Sequence, residues 1–326
     1  MSEVTAQIAG YLRQAERILL VGHMDPDGDV IGALLGLREA LRRLGKQVVP
    51  ALPDRPPSKY AFLPGFAELT TAPAGSFDLF VSLDSSDTAR LEPIYSTVVA
   101  PAGRPVINID HHITNVMFGT LNWVEPRAAS TSEMIISLVD ALGVPMDREI
   151  ALPLLTGIVM DTRGFRTSNT TSDTLRAASR LMDAGASLGE VMERALNSRP
   201  YAMLCLWGKM LATVHLEGRI AWAVLTPAMQ AECGNPEEGD GGFINLLVSL
   251  QEADVGLLFY DKGDHAVEVG FRAKPGIDIS GVAFALGGGG HPQAAGCTVE
   301  GSLEEVRARV LDMVRRAIDG QRALYR

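Results

Sequence analysis

The sequence predicts an α/β protein: an N-terminal domain on a parallel sheet with helices on both faces, followed by a smaller C-terminal α+β domain. Mostly apolar runs at Ile18–Val21, Phe77–Leu83 and Val106–Ile109 alternate with segments of helical period. Strands buried on both faces read as continuous apolar runs, which is how parallel sheets in α/β domains read. After Asn197-Ser198-Arg199-Pro200 the texture changes to paired strand patterns around short polar turns.

In chain order, a helix pattern over Val4–Arg17 feeds the first strand, Ile18–Val21. A helix from about Val30 to Leu44 stops at Gly45, and a strand at Gln47–Leu52 leads through a Pro-rich loop to the strand Phe77–Asp84. A fourth strand, Val106–Ile109, precedes a helical stretch from Ser130 to about Leu196 that includes Glu149–Thr162. Ser130-Thr131-Ser132-Glu133 fits a capping box at its start. The apolar pattern over Ser132–Leu142 suits either a homodimer interface or the core. Domains are expected at 1–196 and 206–326 with a linker at 197–205. In the second, Thr213–Leu216 with Ile220–Val224 and Val255–Tyr260 with Ala266–Arg272 read as hairpins, and a helical pattern over Ile279–Leu286 precedes Gly287–Gly290.

With 326 residues, 47% hydrophobic and 21% charged, the chain is long enough for two ordered domains and is not disordered overall. A net charge of -10 argues against broad attraction to duplex DNA or anionic membrane, so a polyanionic substrate must be gripped locally. No run of about 18 apolar residues suits a membrane span, and Glu3 with no apolar run before Arg13 does not suit a signal peptide. Cys205, Cys233 and Cys297 lack paired zinc spacing and are expected to be reduced, buried thiols of a cytoplasmic protein.

The chemistry gathers at strand ends. His23-Met24-Asp25-Pro26-Asp27-Gly28-Asp29 follows the first strand, and Asn108-Ile109-Asp110-His111-His112 ends another. Imidazoles and carboxylates delivered there converge on one crevice and can surround a divalent cation. Spacing alone does not say which two of Asp25, Asp27 and Asp29 bind, and Asp29 is also placed to cap the following helix. Asp84 sits where a strand-end ligand belongs, whereas Asp87 reads as a turn residue. Asp161 ends an otherwise apolar stretch, where a carboxylate is costly unless paired or coordinated. His23, His111, His112 and His291 all fall in such strings; His215 and His265 read as surface residues.

HMDPDGD, the strand ending in Asp84, Asp110-His111-His112 and Met160-Asp161-Thr162 resemble, in order, the four motifs of the DHH phosphoesterase superfamily. Phe271-Arg272 and the string from Gly287 to Gly296 resemble its DHH-associated C-terminal domain. Order and length are most similar to the bacterial oligoribonucleases, or nanoRNases, that also act as phosphatases of 3′-phosphoadenosine 5′-phosphate. The resemblance implies two domains across a cleft and two metals, Mn²⁺ or alternatively Mg²⁺. His23, Asp27 and Asp84 would hold one, and Asp29, Asp84, His111 and Asp161 the other, with Asp84 bridging. It places Asp25 outside the ligand set. The chain departs from the pattern at Arg163, where relatives commonly have glycine.

Two cations can activate water, hold a phosphate oxygen and stabilise the charge of an in-line displacement. His112 is then the candidate to neutralise the phosphate or protonate the leaving alkoxide, with Asp110 orienting His111 or His112. Arg272 is a candidate phosphate fork, set against a strand-end surface arginine. Gly288, Gly289, Gly290 and His291 fit a flexible linker or an amide cradle for an anion, and the resemblance favours the cradle. Asn115 reads first as a turn residue and Ser130 as a cap, each with a substrate contact as its second role. The expected substrates are short RNA oligonucleotides, cut to mononucleotides, and 3′-phosphoadenosine 5′-phosphate, cut to AMP and phosphate. Short single-stranded DNA is a further candidate, and no membrane is expected. The competing expectations are a RecJ-like single-strand DNA exonuclease, a hydrolase of linear dinucleotides, and a catalytically inactive nucleotide-binding protein.

Overall fold

The computed structural model describes residues 3–234, 239–263 and 265–324, with side chains to Gln321. Two compact units divide the chain, Met1–Ser198 and Arg199–Arg326.

The first unit runs α1 (Glu3–Gln14), β1 (Arg17–Val21), α2 (Gly28–Arg43), β2 (Gln47–Ala51), β3 (Leu79–Leu83), β4 (Val106–Asp110), β5 (Leu121–Val124), α3 (Thr131–Leu142), α4 (Arg148–Asp161) and α5 (Ser172–Asp183). Its five strands are all parallel, in the order β2-β1-β3-β4-β5. From β1 the chain moves outward to β2, then returns to the other side of β1 as β3. The loops after β1 and β3 therefore leave in opposite directions and open a crevice at their carboxyl ends, the usual ligand position in open parallel sheets. His23 follows β1 and Asp84 follows β3.

Alternation along the strands sends Ile18, Leu20, Val81, Leu83, Ile107 and Ile109 into one core with the five helices. Leu19, Val21 and Phe80 point the opposite way, into a smaller cluster with Phe77, Leu91, Ile94 and Val99. The second face is thus covered by short helical turns within residues 89–102. β5 was not anticipated: it is a four-residue edge strand, half-buried throughout. Helix α3 belongs to the core, with Ile135, Leu138 and Val139 fully buried, so its apolar face is not available as the homodimer surface considered from sequence.

Helices α2 and α4 approach at glycines. A methyl on Gly32 would lie 2.4 Å from the Pro153 carbonyl oxygen, and one on Gly157 would lie 2.0 Å from Ser132 Oγ and 2.7 Å from Asp29 Oδ1. The helices, α3 and Asp29 are therefore seated against one another. Gly157→Ala is expected to cost about 1–3 kcal/mol through overpacking, read by urea denaturation, and to weaken divalent-cation binding by displacing Asp29. Wild-type stability and cation affinity in this variant would contradict the tight seam.

The second unit contains α6 (Tyr201–Leu211), β6 (His215–Glu217), β7 (Ile220–Leu225), α7 (Pro227–Glu232), α8 (Phe243–Val248), β8 (Val255–Asp261), β9 (Ala266–Ala273), α9 (Ser280–Ala285), β10 (Gly289–His291), β11 (Ala294–Glu300) and α10 (Leu303–Leu324). Its mixed sheet has the order β10-β11-β9-β8-β7-β6, with only β7 and β8 parallel. One face packs Trp222, Leu257, Phe259, Val269 and Phe271 against Val306, Val310 and Val314 of α10, which recur at helical spacing. The other packs Ala221, Ala223 and Leu258 against α6 and α8.

Several expectations are corrected here. Residues 201–205, assigned to the linker, form the start of α6. The glycine-rich string is largely a hairpin of β10 and β11 rather than a loop. Cys205 and Cys233 form a disulfide, leaving Cys297 as a buried thiol. The close approach of α6 to the end of α7 brings their Cα atoms to 5.7 Å, within bridging range. Cysteine usage therefore no longer argues for a reducing compartment. Among the described residues no helix is long and apolar enough to cross a membrane.

Candidate metal centre

The first unit brings His23, Asp27, Asp29, Asp84, His111, His112 and Asp161 into three overlapping groups. These are His23/Asp27/Asp84, Asp29/His111/Asp161 and Asp84/His111/His112, and the potential donor atoms within each lie within 4.8 Å of one another. Asp84 stands in two of them. Its Oδ2 is 3.5 Å from His23 Nε2 and its Oδ1 is 3.6 Å from His111 Nε2, while Thr131 Oγ1 donates to Oδ1 at 2.9 Å. The residue is buried and takes a left-handed φ of 60°, which turns the chain sharply at the end of β3.

Local folding fixes the other donors. Asp27, rather than Asp29, caps α2, accepting from the amides of Asp29 and Val30 at 2.9 and 3.2 Å. Asp29 lies inside the first turn, with its carboxylate clasped by the first amides of α3: Oδ2 accepts from Thr131 N at 2.6 Å and Oδ1 from Ser132 N at 2.9 Å. Helix amino ends stabilise anions, so this buried carboxylate has partners without any counter-ion. Asp161, the last residue of α4, lies 3.7 Å from His111 Nε2. His111 Nδ1 faces the Ala128 carbonyl at 3.3 Å, which favours a proton there and leaves Nε2 toward the carboxylates. Asp25 is exposed and belongs to none of the three groups.

The electrostatics of this set are unbalanced. Burial and the charges of Asp84, Asp161 and Asp27 raise the Asp29 carboxyl well above the usual carboxylate range, against the opposing Ser132 bond. Asp161 is pushed up to about 6, mainly by burial and then by Asp84 and Asp27, despite the His111 imidazole. At Asp84 burial opposes ionisation, but bonding to His23 and the imidazoles of His111, His112 and His23 prevail and hold it below the usual range. Burial would lower His112; the Asp110 hydrogen bond and the charges of Asp84, Asp110 and Asp161 prevail and raise it to about 9. Carboxylates that resist ionising together, with bare imidazole nitrogens turned toward them, are a donor set matched to divalent cations.

His112 is held differently from His111. Its Nδ1 is 2.7 Å from Asp110 Oδ1, which also accepts the His112 backbone amide at 3.2 Å. Asp110 is fully buried and orients His112 rather than His111. Two expected substrate contacts are turned inward. Ser130 is fully buried with its hydroxyl capping α3 by accepting from Glu133 N at 3.0 Å, while Glu133 accepts from Ala129 N. The side chain of Asn115 is bonded within the protein. Arg163 adopts a left-handed φ of 49°, the conformation a glycine at this position would take without cost.

One neighbour was missed. An Arg90 guanidinium nitrogen lies 3.0 Å from His23 Nδ1, whose other neighbour is the Met24 carbonyl at 2.6 Å. The two require opposite tautomers, and the one donating to Met24 leaves Nε2 bare for a cation. The available signal was a cation six residues after Asp84 in an acidic chain.

In the second unit, register places Arg272, Ala294 and His291 side by side across β9, β11 and β10. The next row on the same face is Gly270, Gly296 and Gly289. Beside Arg272 and His291 the backbone of Gly289 and Gly296 is exposed, whereas Gly270 lies under Ile244 of α8, whose Cδ1 would stand 3.2 Å from a methyl there. At Gly288 a methyl would lie 2.1 Å from the Gly296 carbonyl oxygen, so the turn into β10 admits no larger residue.

Residues 17–158 match the DHH family, N-terminal domain, and residues 237–320 match the DHHA1 domain. A bifunctional oligoribonuclease and PAP phosphatase NrnA of Thermus thermophilus is 39% identical, over 91% of this chain and 89% of its own length. The chain belongs to the DHH family. A second relative of this DHH-family chain, the bifunctional oligoribonuclease and PAP phosphatase NrnA of Bacillus subtilis, is 28% identical over 87% of this chain and 90% of its own. An exopolyphosphatase-related protein from Bacteroides fragilis shares the fold over the full length of both chains, with a TM-score of 0.90 at 22% identity.

Proposed function

We propose that this DHH-family chain is a two-metal phosphoesterase that releases mononucleotides from short oligoribonucleotides and removes the 3′-phosphate of 3′-phosphoadenosine 5′-phosphate. The observation that carries the reading is the convergence of donor groups on Asp84, between His23 on one side and His111 on the other. The names of the two NrnA relatives support the substrate class. His23, Asp27 and Asp84 would hold one dication, and Asp29, Asp84, His111 and Asp161 the second. Mixed nitrogen and oxygen donors suit Mn²⁺, with Mg²⁺ as a substitute. When bound, the pair supplies Lewis-acid polarisation of the phosphate and an activated water.

The chain's own groups supply the rest. Release of 5′-mononucleotides and removal of a 3′-phosphate both break a P–O3′ bond, so one site serves both with the same leaving oxygen. His112, held by Asp110, is the group to neutralise the phosphate and give its proton to O3′. Arg272 and His291, beside the exposed Gly289 and Gly296, are the groups to fix a terminal phosphate by a planar guanidinium fork and an imidazole. A chain of net charge -10 then favours small polyanions gripped at defined points over long strands.

The test is Mn²⁺-dependent release of mononucleotides from a 5′-labelled RNA trimer, beside a long RNA strand, pyrophosphate and 3′-phosphoadenosine 5′-phosphate. Turnover of the trimer and the bisphosphate is expected. Absence of turnover on every substrate with metal bound would overturn the enzyme reading, and preference for the long strand would overturn the substrate class.

Metal binding should be strongly pH-dependent. In the metal-free protein Asp161 ionises only near pH 6 and Asp29 is also raised, so the folded state holds protons that the unfolded chain has released. These two groups make the metal-free fold lose stability as pH rises from about 4 through 6. A dication requires their ionised forms and reverses that trend, so its affinity should increase through the same window with release of protons. Calorimetry in buffers of different ionisation enthalpy should detect the released protons, and the cation-induced rise in Tm should be larger at pH 7.5 than at pH 5. An affinity flat between those pH values would contradict the assignment of Asp29 and Asp161 as ligands.

A further inference from the structure

The side-chain amide of Asn115 lies where three critical groups meet. Its Nδ2 is 2.6 Å from Asp110 Oδ2, 2.8 Å from Asn108 Oδ1 and 3.0 Å from the Ser85 carbonyl oxygen, while its Oδ1 accepts from Met117 N at 2.7 Å. Two N–H groups thus serve three acceptors, and the amide's hydrogen-bonding capacity is taken up by the protein. The acceptors on Ser85 and Asp110 belong to fully buried residues. Ser85 follows the left-handed Asp84, which turns the next carbonyl inward. Ser85 is fully buried, and among the described residues its carbonyl is met by two side-chain amides, Asn108 Nδ2 at 3.0 Å and Asn115 Nδ2. Asp110 is fully buried and spends Oδ1 on His112, leaving Oδ2 to Asn115.

We infer that Asn115 is a positioning residue for His112, acting through Asp110, and at the same time a brace for the turn that presents Asp84. This inference rests on the role of His112 given above. It replaces the substrate contact expected of Asn115 from sequence. The chemical logic is that of a carboxylate gripping an imidazole: Asp110 can hold the ring in one orientation only if its second oxygen is itself fixed. Asn108, also fully buried, completes the brace from β4. The neighbours Ile113, Val116 and Met117 are exposed, so the loop is held by Asn115 at its start, by the Val116 amide on the Ser86 carbonyl oxygen at 2.9 Å, and by Phe118 packed edge-on to Tyr95.

The inference is tested with Asn115→Ala and the isosteric Asn115→Asp, which keeps the shape and removes the donor. On 3′-phosphoadenosine 5′-phosphate both should lose at least thirtyfold in kcat, with KM within threefold and calorimetric Mn²⁺ affinity within threefold of wild type. In proton NMR of the Mg²⁺-loaded protein, the His112 Nδ1–H signal, assigned by its absence in His112→Gln, should move upfield by more than 1 ppm or broaden away in both variants. A raised KM with unchanged kcat would make Asn115 a substrate contact and overturn the inference, as would an unshifted signal or full activity in Asn115→Asp. If both variants fail to fold, the wild type decides: protection of the Asn115 side-chain amide protons from exchange is expected, and exchange as fast as in a free asparagine would overturn the brace. A wild type that hydrolyses none of the nucleotides yet shows the NMR response would sink the functional reading and leave the brace standing.

Discussion

Asp84→Asn is expected to lower kcat by about four orders of magnitude or more, corresponding to roughly 5 kcal/mol or more of lost transition-state stabilisation. The reason is positional. Among the described residues Asp84 alone lies within ion-pair reach of both His23 and His111, so removing its charge damages both proposed cation positions at once. Backbone strain does not confuse the result, because asparagine tolerates the left-handed φ of 60° about as well as aspartate. Nor should the fold be lost. The Asp84 charge is one cause of the raised carboxyls of Asp29 and Asp161, so its removal relieves repulsion while it forfeits attraction to the imidazoles. Turnover, Mn²⁺ stoichiometry by calorimetry and thermal denaturation separate these effects. A variant that still binds two Mn²⁺ with wild-type affinity would refute the bridging assignment.

His112→Gln should behave in the opposite pattern, with intact metal binding and a kcat reduced by about 10²–10⁴, the usual contribution of a general acid. Glutamine can still offer an N–H to Asp110, so the buried carboxylate keeps a donor and stability should change little. What disappears is a transferable proton near the scissile bond. The deficit should shrink on a substrate whose leaving group is already acidic, such as a p-nitrophenyl ester, because such a group departs without protonation. Equal deficits on both kinds of substrate would reduce His112 to a charge that binds phosphate, and full turnover with both metals would remove it from the chemistry.

Much of the site was legible because parallel strands leave a plain trace. The apolar runs before His23, Asp84 and His111 end where the sheet ends, and polar groups there have one crevice to enter. The capping role was misjudged, since Asp27 and Asp29 are only two residues apart and only the backbone shows that α2 begins at Gly28. The contacts made by Asp29 with Thr131 and Ser132 span more than 100 positions, beyond any local pattern. Cys205 and Cys233 meet through helix packing, which their separation of 28 residues does not encode. β5 and β10 are short and only partly buried or exposed, so neither shows the alternation that reveals a strand. The glycine row was half visible: Gly287–Gly290 is conspicuous, but Gly270 joins it only once the register is known.

Every proposed cation donor lies between His23 and Asp161, wholly inside the first unit, whereas Arg272, His291 and their glycine rows lie wholly inside the second. On the proposed assignment, the hydrolytic groups and the substrate-selecting groups would be inherited as separate stretches of chain. Mutation in the later stretch would then redirect which phosphorylated compound is accepted without disturbing the hydrolytic apparatus, and descendants of one ancestor would be free to diverge in diet while keeping the same teeth.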